Sequence, residues 1–350
     1  MSDFLNQIYL WYNINKRDLP WRKTTDPYKI WVSEIILQQT RIINGIGYYK
    51  RFVETFPTIK IMAQAEENQV LKIWQGLGYY SRARNLHSSA KYINDNLNGK
   101  FPEDYNDIIQ LKGVGPYTAA AIASIAFDLP YPAVDANIYR VFSRYFGIST
   151  PIDSEKGKKE FYKVAKNIMP EKNAGMHNQA LMEFGALQCT PKLPRCSNCP
   201  VSNLCFAAKN KSTGLYPVKS KKSKQTNRFF YYYFIKNDDF IYIEKRIKND
   251  IWKNMYQFPL FESDKKLSIK EIISNLKITF NSDCKVNVKT MSTLKKHVLS
   301  HQIIFARFVH IKIEDVNCLD KNFIRVNKKD IFTFAVPRLI EQFIEELNLR

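Results

Sequence analysis

The sequence contains no run of about 18 apolar residues, so no membrane-spanning helix is expected. Its opening stretch, MSDFLNQIYLWYN, has no basic segment and no small-residue cleavage site, which argues against a signal peptide and for a cytoplasmic protein. Glycine and proline are sparse, at 12 and 15 residues, too few for a collagen-like or low-complexity chain. Acidic residues are outnumbered, 33 against 53 basic, leaving a net charge of +20. That excess goes beyond what solubility needs and favours a polyanionic partner. Nucleic acid is favoured over an anionic membrane surface, because no separate basic amphipathic segment is present. Cysteine is scarce and unevenly placed: Cys189, Cys196, Cys199 and Cys205 are clustered, whereas Cys284 and Cys318 are isolated. In a leaderless chain the thiols are expected to be reduced, so four together suggest a metal site rather than disulfides.

What is present is ample apolar material: 23 Phe and 20 Tyr in 350 residues, 45% hydrophobic, enough for two domains or one large one. Up to about residue 210 the pattern is helical with short Gly/Pro punctuation. Asp26-Pro27 opens a helix through KIWVSEIILQQT. EENQVLKIWQ is stopped by Gly76-Leu77-Gly78, and a further helix starts near Ser81. A short one follows Pro102 and ends at Gly113; Pro116 opens YTAAAIASIAF, and Asp135 caps NIYRVFSRYF. The segment 211–228 carries six basic residues, no acidic one and no hydrophobic period, and reads as a basic linker. Beyond it FFYYYFI, KNDD and FIYIEKR form a predicted hairpin, KVNVKT and HQIIFARFVHIKI add strands, and VPRLIEQFIEELN is a helix. An all-α region followed by an α+β domain is expected.

Four constellations carry chemistry. Leu111-Lys112-Gly113-Val114-Gly115-Pro116 makes a tight turn between helices whose backbone N–H groups could bind one phosphate; an ordinary glycine-capped turn is the alternative. The cysteines are spaced C-x6-C-x2-C-x5-C on one continuous loop, which suits a 4Fe–4S cluster better than tetrahedral zinc, though zinc stays open. Glu34 has Ile30, Trp31 and Ile35 as helical neighbours. Desolvated there, its pKa would rise and poise it to donate a proton; alternatively it shares a solvated stripe with Gln38 and Arg41. Asp135 is either a plain N-cap or an anion, held ionised by backbone N–H groups, that faces a developing cation. Together these two follow the two-carboxylate logic of glycoside cleavage.

These residues closely resemble the adenine DNA glycosylase (MutY) family, which shares its core with endonuclease III. The matching segments are Leu19-Pro20-Trp21-Arg22, DPYKIWVSEIILQQT, WQGLGYYSRARNL, GVGPYTAAAIASIAF, VDANIYRV, NQALMEFGALQCTP, the cysteine spacing, IWKNMYQFP, and His297 to His301. The resemblance implies a multidomain fold. An all-α helix-hairpin-helix catalytic region spans 1–210, with a six-helix module at about 25–133. An iron–sulfur module is built from the N-terminal helix plus about 134–210. A linker at 211–228 and a Nudix-like α+β domain at 229–350 follow. That domain cannot carry the Nudix catalytic box, since 229–350 has no glycine; it is expected to recognise 8-oxoguanine.

The implied activity is monofunctional removal of adenine opposite 8-oxoguanine or guanine in duplex DNA, by a monomer associated with the nucleoid. By the same resemblance Glu34 is the general acid and Asp135 stabilises the oxocarbenium ion, supported by Tyr117 and Asn137. Trp21 and Arg22 line the adenine pocket, Gln39 and Tyr79 wedge into the duplex, and Gly113 and Gly115 meet its backbone. Ser300 and His301 contact 8-oxoguanine, and Cys189, Cys196, Cys199 and Cys205 hold a 4Fe–4S cluster. Three positions depart from the family pattern: Lys112 for Pro, Ala136 for Gly, and Leu299 for Phe. Ala136 would cost about 1 kcal/mol if its φ had to be positive. Two other readings compete. One is an endonuclease III-like bifunctional pyrimidine glycosylase, which needs a lysine where this chain has Tyr117. The other is a catalytically inactive iron–sulfur DNA-binding protein, against which Glu34 and Asp135 both speak.

Overall fold

The structure, a computed structural model, describes residues 2–220, 225–280, 286–313 and 315–347, except for the side chains at 2, 277–279 and 317. The chain divides into two compact units, Met1–Gln64 with Asn85–Lys222, and Ala65–Arg84 with Ser223–Arg350. Among the described residues no helix is long and apolar enough to cross a membrane.

Unit 1 is helical: α1 (Ser2–Asn15), α2 (Pro27–Leu37), α3 (Ile42–Thr55) and α4 (Ile59–Gln64) come first. α5 (Glu67–Trp74) belongs to unit 2, and α6 (Ser81–Asn96) starts there and continues into unit 1. Then follow α7 (Tyr105–Ile108), α8 (Pro116–Phe127), α9 (Ala136–Phe146), α10 (Glu155–Asn167), α11 (Ala174–Leu187) and α12 (Phe206–Lys209). α2 is capped as its sequence predicts, the Asp26 carboxylate accepting from Tyr28 N–H at 3.0 Å with Pro27 in the first turn. Residues Ile30 to Ile36 are all buried, so α2 is a central helix with no solvated stripe; even Gln38 beyond its end donates to Thr118 Oγ1 at 3.2 Å. A second core joins Phe4, Ile8 and Tyr12 of α1 to Ile138, Phe142, Phe161 and Phe184 of α9, α10 and α11. The N-terminal helix therefore packs with the later helices.

In the turn before α8, Gly113 adopts φ +82 and a Cβ there would stand 2.9 Å from Asn85 Cβ, so only glycine fits. Gly115 has φ −97 and open space in front of it. Ala136 is the first residue of α9 and has no positive φ, so the expected strain is absent.

Of the basic segment 211–228, residues 221–224 lie outside the described residues. Its start is structured rather than a free tether. Val218 O accepts from Ile152 N–H at 3.0 Å, and Ser220 donates through N–H and hydroxyl to Asp153 at 2.9 and 3.0 Å. Cys318, expected as an isolated thiol, is disulfide-bonded.

Unit 2 is a mixed sheet between two helices. β1 (Thr226–Asn237) and β2 (Phe240–Lys245) form the predicted hairpin. β3 (Tyr256–Gln257), β4 (Leu260–Ser263), β5 (Val286–Met291), β6 (Lys295–Val298), β7 (Gln302–Ile313) and β8 (Ile324–Asn327) complete it. β1 runs parallel to β7, Thr226 opposite Gln302 through Ile235 opposite Ile311. Such a central strand is covered on both faces, which explains the unbroken aromatic run FFYYYFI. Tyr231, Tyr233 and Ile235 face α13 (Ile269–Thr279), and Phe308 stacks on Phe343 of α14 (Arg338–Glu346) at 3.8 Å. The predicted strand HQIIFARFVHIKI forms as β7 from Gln302 to Ile313, and a turn at Leu299–His301, where Leu299 N–H donates to Gln302 O at 2.9 Å, joins it to β6.

Unit 2 also claims 65–84, which the sequence reading kept with the helical region. Lys72 Nζ donates to Phe334 O at 3.1 Å, and Gln75 Nε2 to Glu341 Oε1 at 2.6 Å.

Candidate active site

Glu34, Tyr117, Asp135, Asn137, Trp21 and Arg22 line one cavity of about 210 Å³ in unit 1. A cavity of about 150 Å³ accepts benzene, so this one has room for a larger flat ring. α2 delivers Glu34, α8 delivers Tyr117, and the N-cap of α9 delivers Asp135. Trp21 meets Tyr49 edge-on at 5.3 Å and forms an apolar wall.

Glu34 is 8% exposed. Burial pushes its carboxyl up to about 7, the Tyr117 hydroxyl bonded to it opposes the rise, and the nearby Asp135 charge adds to it. Tyr117 is raised well above its usual value by burial and by both carboxylates, so it stays a neutral phenol; its hydroxyl also lies 3.4 Å from Met182 Sδ. Asp135 accepts from Ile138 N–H at 2.8 Å and from Asn137 Nδ2 at 2.6 Å. These bonds were expected to hold it firmly ionised. Removal from water outweighs them, and the Asp135 carboxyl lies above its ordinary value. Asn137 is itself fixed by Arg140, which donates to Asn137 Oδ1, Gly185 O and Cys189 O, each at 2.7 Å.

Arg17, Gln179 and Glu183, which are not among the residues expected from the sequence, share the cavity wall. Glu183 is buried and takes two forked ion pairs, from Arg17 at 2.8 and 2.5 Å and from Arg22 at 2.9 and 2.9 Å. Burial opposes its charge, but these bonds prevail and hold its carboxyl down at about 2. An acidic residue inside the apolar helix NQALMEFGAL was the available signal; partners over 160 positions away were not visible.

Gln39 and Tyr79 are exposed and both hold left-handed backbone, φ 58 and φ 48. Such conformations in non-glycine residues are uncommon and concentrate at functional sites. Gln39 lies beyond the end of α2 in unit 1, between Leu37 and Thr40, which line the 210 Å³ cavity, but does not line it itself. In unit 2 Tyr79, Ser300 and His301 line a cavity of about 430 Å³ together with Trp252 and Leu299, and the Tyr79 and Ser300 hydroxyls hydrogen-bond each other.

The four clustered cysteines line a further, apolar cavity of unit 1, about 30 Å³ in volume. Burial pushes Cys199 up to about 11 and raises Cys196 and Cys205. Arg144 braces the loop, donating to Cys189 Sγ at 3.4 Å, Thr190 O at 2.7 Å and Pro191 O at 2.9 Å. Among the described residues no three side chains are grouped to hold a single metal ion.

Residues 32–167 match the model of the HhH-GPD superfamily of base excision DNA repair proteins, and residues 230–346 match a NUDIX domain. The chain is 38% identical over 279 residues to an adenine DNA glycosylase of Buchnera aphidicola subsp. Schizaphis graminum, covering 79% of this chain and 80% of that one. It is 32% identical over 355 residues to the adenine DNA glycosylase of Buchnera aphidicola subsp. Acyrthosiphon pisum, covering 99% of this chain and 97% of that one. The human adenine DNA glycosylase is 40% identical over 216 residues, covering 59% of this chain and 40% of that one. A thermostable thymine-DNA glycosylase superposes with a TM-score of 0.56 at 31% identity, covering 60% of this chain and 96% of that one. An endonuclease III trapped covalently on DNA shares the fold at 24% identity, with a TM-score of 0.52 over 59% of this chain and 94% of that one.

Proposed function

The chain belongs to the adenine DNA glycosylase family of base excision repair enzymes, and from that premise we propose how its two units divide the work. It is a DNA glycosylase that removes adenine. The observation carrying the chemistry is Glu34, a buried carboxyl poised near 7 beside Asp135 in a cavity of base size. In this reading the adenine is flipped into that cavity, at an unstacking cost of a few kcal/mol. Trp21 forms the apolar wall, and the Arg17–Glu183–Arg22 cluster offers the polar edge. Protonated Glu34 donates its proton to a ring nitrogen, and the N-glycosidic bond breaks with its electron pair going to the base. The Asp135 carboxylate, oriented by Asn137, faces the oxocarbenium ion until water adds. The described residues lining the cavity include no lysine, which supports a monofunctional enzyme and disfavours a Schiff-base lyase. Single-turnover measurement of adenine release by Glu34→Gln tests the assignment: retention of the parent rate rejects it.

Unit 2 would read the opposite base, 8-oxoguanine in preference to guanine, at the cavity of Tyr79, Ser300 and His301. Gly113, Gly115 and the N-terminus of α8 would take a backbone phosphate, and Gln39 and Tyr79 would enter the duplex. The protein would act as a monomer, and the +20 charge supports residence on DNA.

Cys189, Cys196, Cys199 and Cys205 would hold a 4Fe–4S cluster. Four soft sulfur donors around one apolar cavity fit it. Their C-x6-C-x2-C-x5-C spacing on one continuous loop suits a four-iron group better than zinc. When bound it supplies a structural anchor for the loop that Arg144 braces; the glycosidic reaction involves no net redox change.

A further inference from the structure

Segment 67–84 of unit 2 is gripped at both ends by one short loop. At its start, Asn254 Nδ2 donates to Glu67 Oε1 at 2.6 Å. At its end, Arg84 donates to Lys253 O at 2.8 Å. The gripping loop holds two non-glycine residues in left-handed backbone, Trp252 at φ 60 and Asn254 at φ 66. L side chains rarely adopt that conformation, so its surroundings must impose it. Arg246 does so, donating Nε to Ile251 O at 2.9 Å and accepting from Asn254 N–H on its own carbonyl at 2.7 Å. Arg246 is in turn ion-paired to Asp250 at 2.8 Å and Glu262 at 2.7 Å.

Between the two grips the segment makes a tight tip, with Gly76 at φ 93, Gly78 at φ 75 and Tyr79 at φ 48. Trp74 Nε1 closes it on Gly78 O at 3.1 Å. That tip carries the Tyr79 hydroxyl onto Ser300, and Trp252 and Arg84 line the same cavity. The gripping loop, the Ser300 turn and Tyr79 thus line one cavity.

We propose that Asn254 is a positioning residue: through Glu67 it fixes the strand of chain that presents Tyr79 to Ser300, and opposite-base selectivity depends on that grip. The inference rests on the reading that unit 2 recognises the opposite base. Asn254 touches neither the adenine cavity nor Ser300; it acts through the segment it holds.

Polarity of one hydrogen bond gives the test. Asn254→Asp sets a carboxylate against that of Glu67. Adding Glu67→Gln restores the bond with donor and acceptor exchanged, since the new amide at 67 can donate to the new carboxylate at 254. The readout is the ratio of full-length-protein affinities for duplexes with adenine opposite 8-oxoguanine and opposite guanine, at one salt concentration. A fluorescent base analogue beside the lesion reports unstacking by Tyr79. Asn254→Asp should lower the ratio about tenfold, as expected for a bond to a charged group, and the double variant should restore ratio and unstacking signal together. Loss without restoration overturns the proposal. A preserved ratio in Asn254→Asp, with Ser300→Ala and His301→Ala still lowering it, overturns the grip while leaving the reading of unit 2 intact. A preserved ratio in Ser300→Ala with His301→Ala instead removes that reading and the proposal with it. If Asn254→Asp does not fold, Glu67→Ala decides: it should lower the ratio, and an unchanged ratio overturns the proposal.

Discussion

Glu34 is a carboxyl that the fold keeps from water, and the consequence for stability has a definite sign. The folded state retains this proton up to about pH 7, whereas the unfolded chain releases it near 4.5. Between those values the folded state binds more protons, so stability falls as pH rises through that window. At about 1.4 kcal/mol per pH unit the loss is about 3 kcal/mol. Glu34→Gln has no charge to bury. Denaturant unfolding should therefore find the two proteins alike in acid and the variant about 3 kcal/mol more stable in alkali; equal stability in alkali would contradict the burial argument. The same variant should lose roughly 100- to 10,000-fold in adenine release, the usual contribution of a general acid. In the parent, the rate should fall above neutrality as Glu34 ionises and in acid as the raised Asp135 takes up a proton. The two limbs belong to the coupled pair rather than to either residue. Tyr117 gives the residue-scale test of reaction type: borohydride should trap almost no protein–DNA adduct, and efficient trapping would overturn the monofunctional assignment.

At the scale of elements, the turn before α8 separates conformation from contact. Gly113→Ala meets both positive φ and Asn85, and should lower stability by at least about 1 kcal/mol. Gly115→Ala meets neither. Its methyl would instead enter the space before the helix N-terminus, so stability should hold while duplex affinity falls equally for all sequences. The slope of log affinity against log salt should drop by about one phosphate contact. If Gly115→Ala binds duplex with parent affinity and slope, the phosphate does not sit there. The cysteine loop makes a compositional prediction: about four irons per chain in protein purified without oxygen. Stoichiometric zinc without iron would reverse the choice of group.

For the whole molecule, the division into units changes what a truncation should do. Val70, Leu71 and Trp74 of α5 are buried in the intact protein, and Lys72 of α5 and Gln75 just after it bond to Phe334 and Glu341. Ending the chain near Tyr216 removes those partners. The fragment should keep the core of unit 1 and some adenine release. Protease should cut it within 65–84, where the intact protein resists, and its preference for 8-oxoguanine over guanine should fall. A fragment as resistant and as selective as the full chain would mean that unit 2 neither orders that segment nor reads the lesion.

The sequence by itself determined what local chemistry and period can specify. Asp26-Pro27 and Pro116 start helices because of what their side chains and rings do to the backbone. The aromatic run of β1 is the composition of a strand covered on both faces. Glu34 and Asp135 could be named because their segments match a known pattern, and Gly113 because only glycine turns that way. The tertiary structure alone decided the rest, since it depends on residues far apart in the chain. Whether Glu34 is solvated or buried is set by the helices around α2. Whether capping bonds or dehydration rule Asp135 is a balance of magnitudes that no spacing encodes. Glu183 binds Arg17 and Arg22 across more than 160 positions, and residues 65–84 group with unit 2, where Lys72 and Gln75 bond to Phe334 and Glu341. No local pattern records an ion pair or a packing partner at that distance, because both arise only when the fold brings the two stretches together.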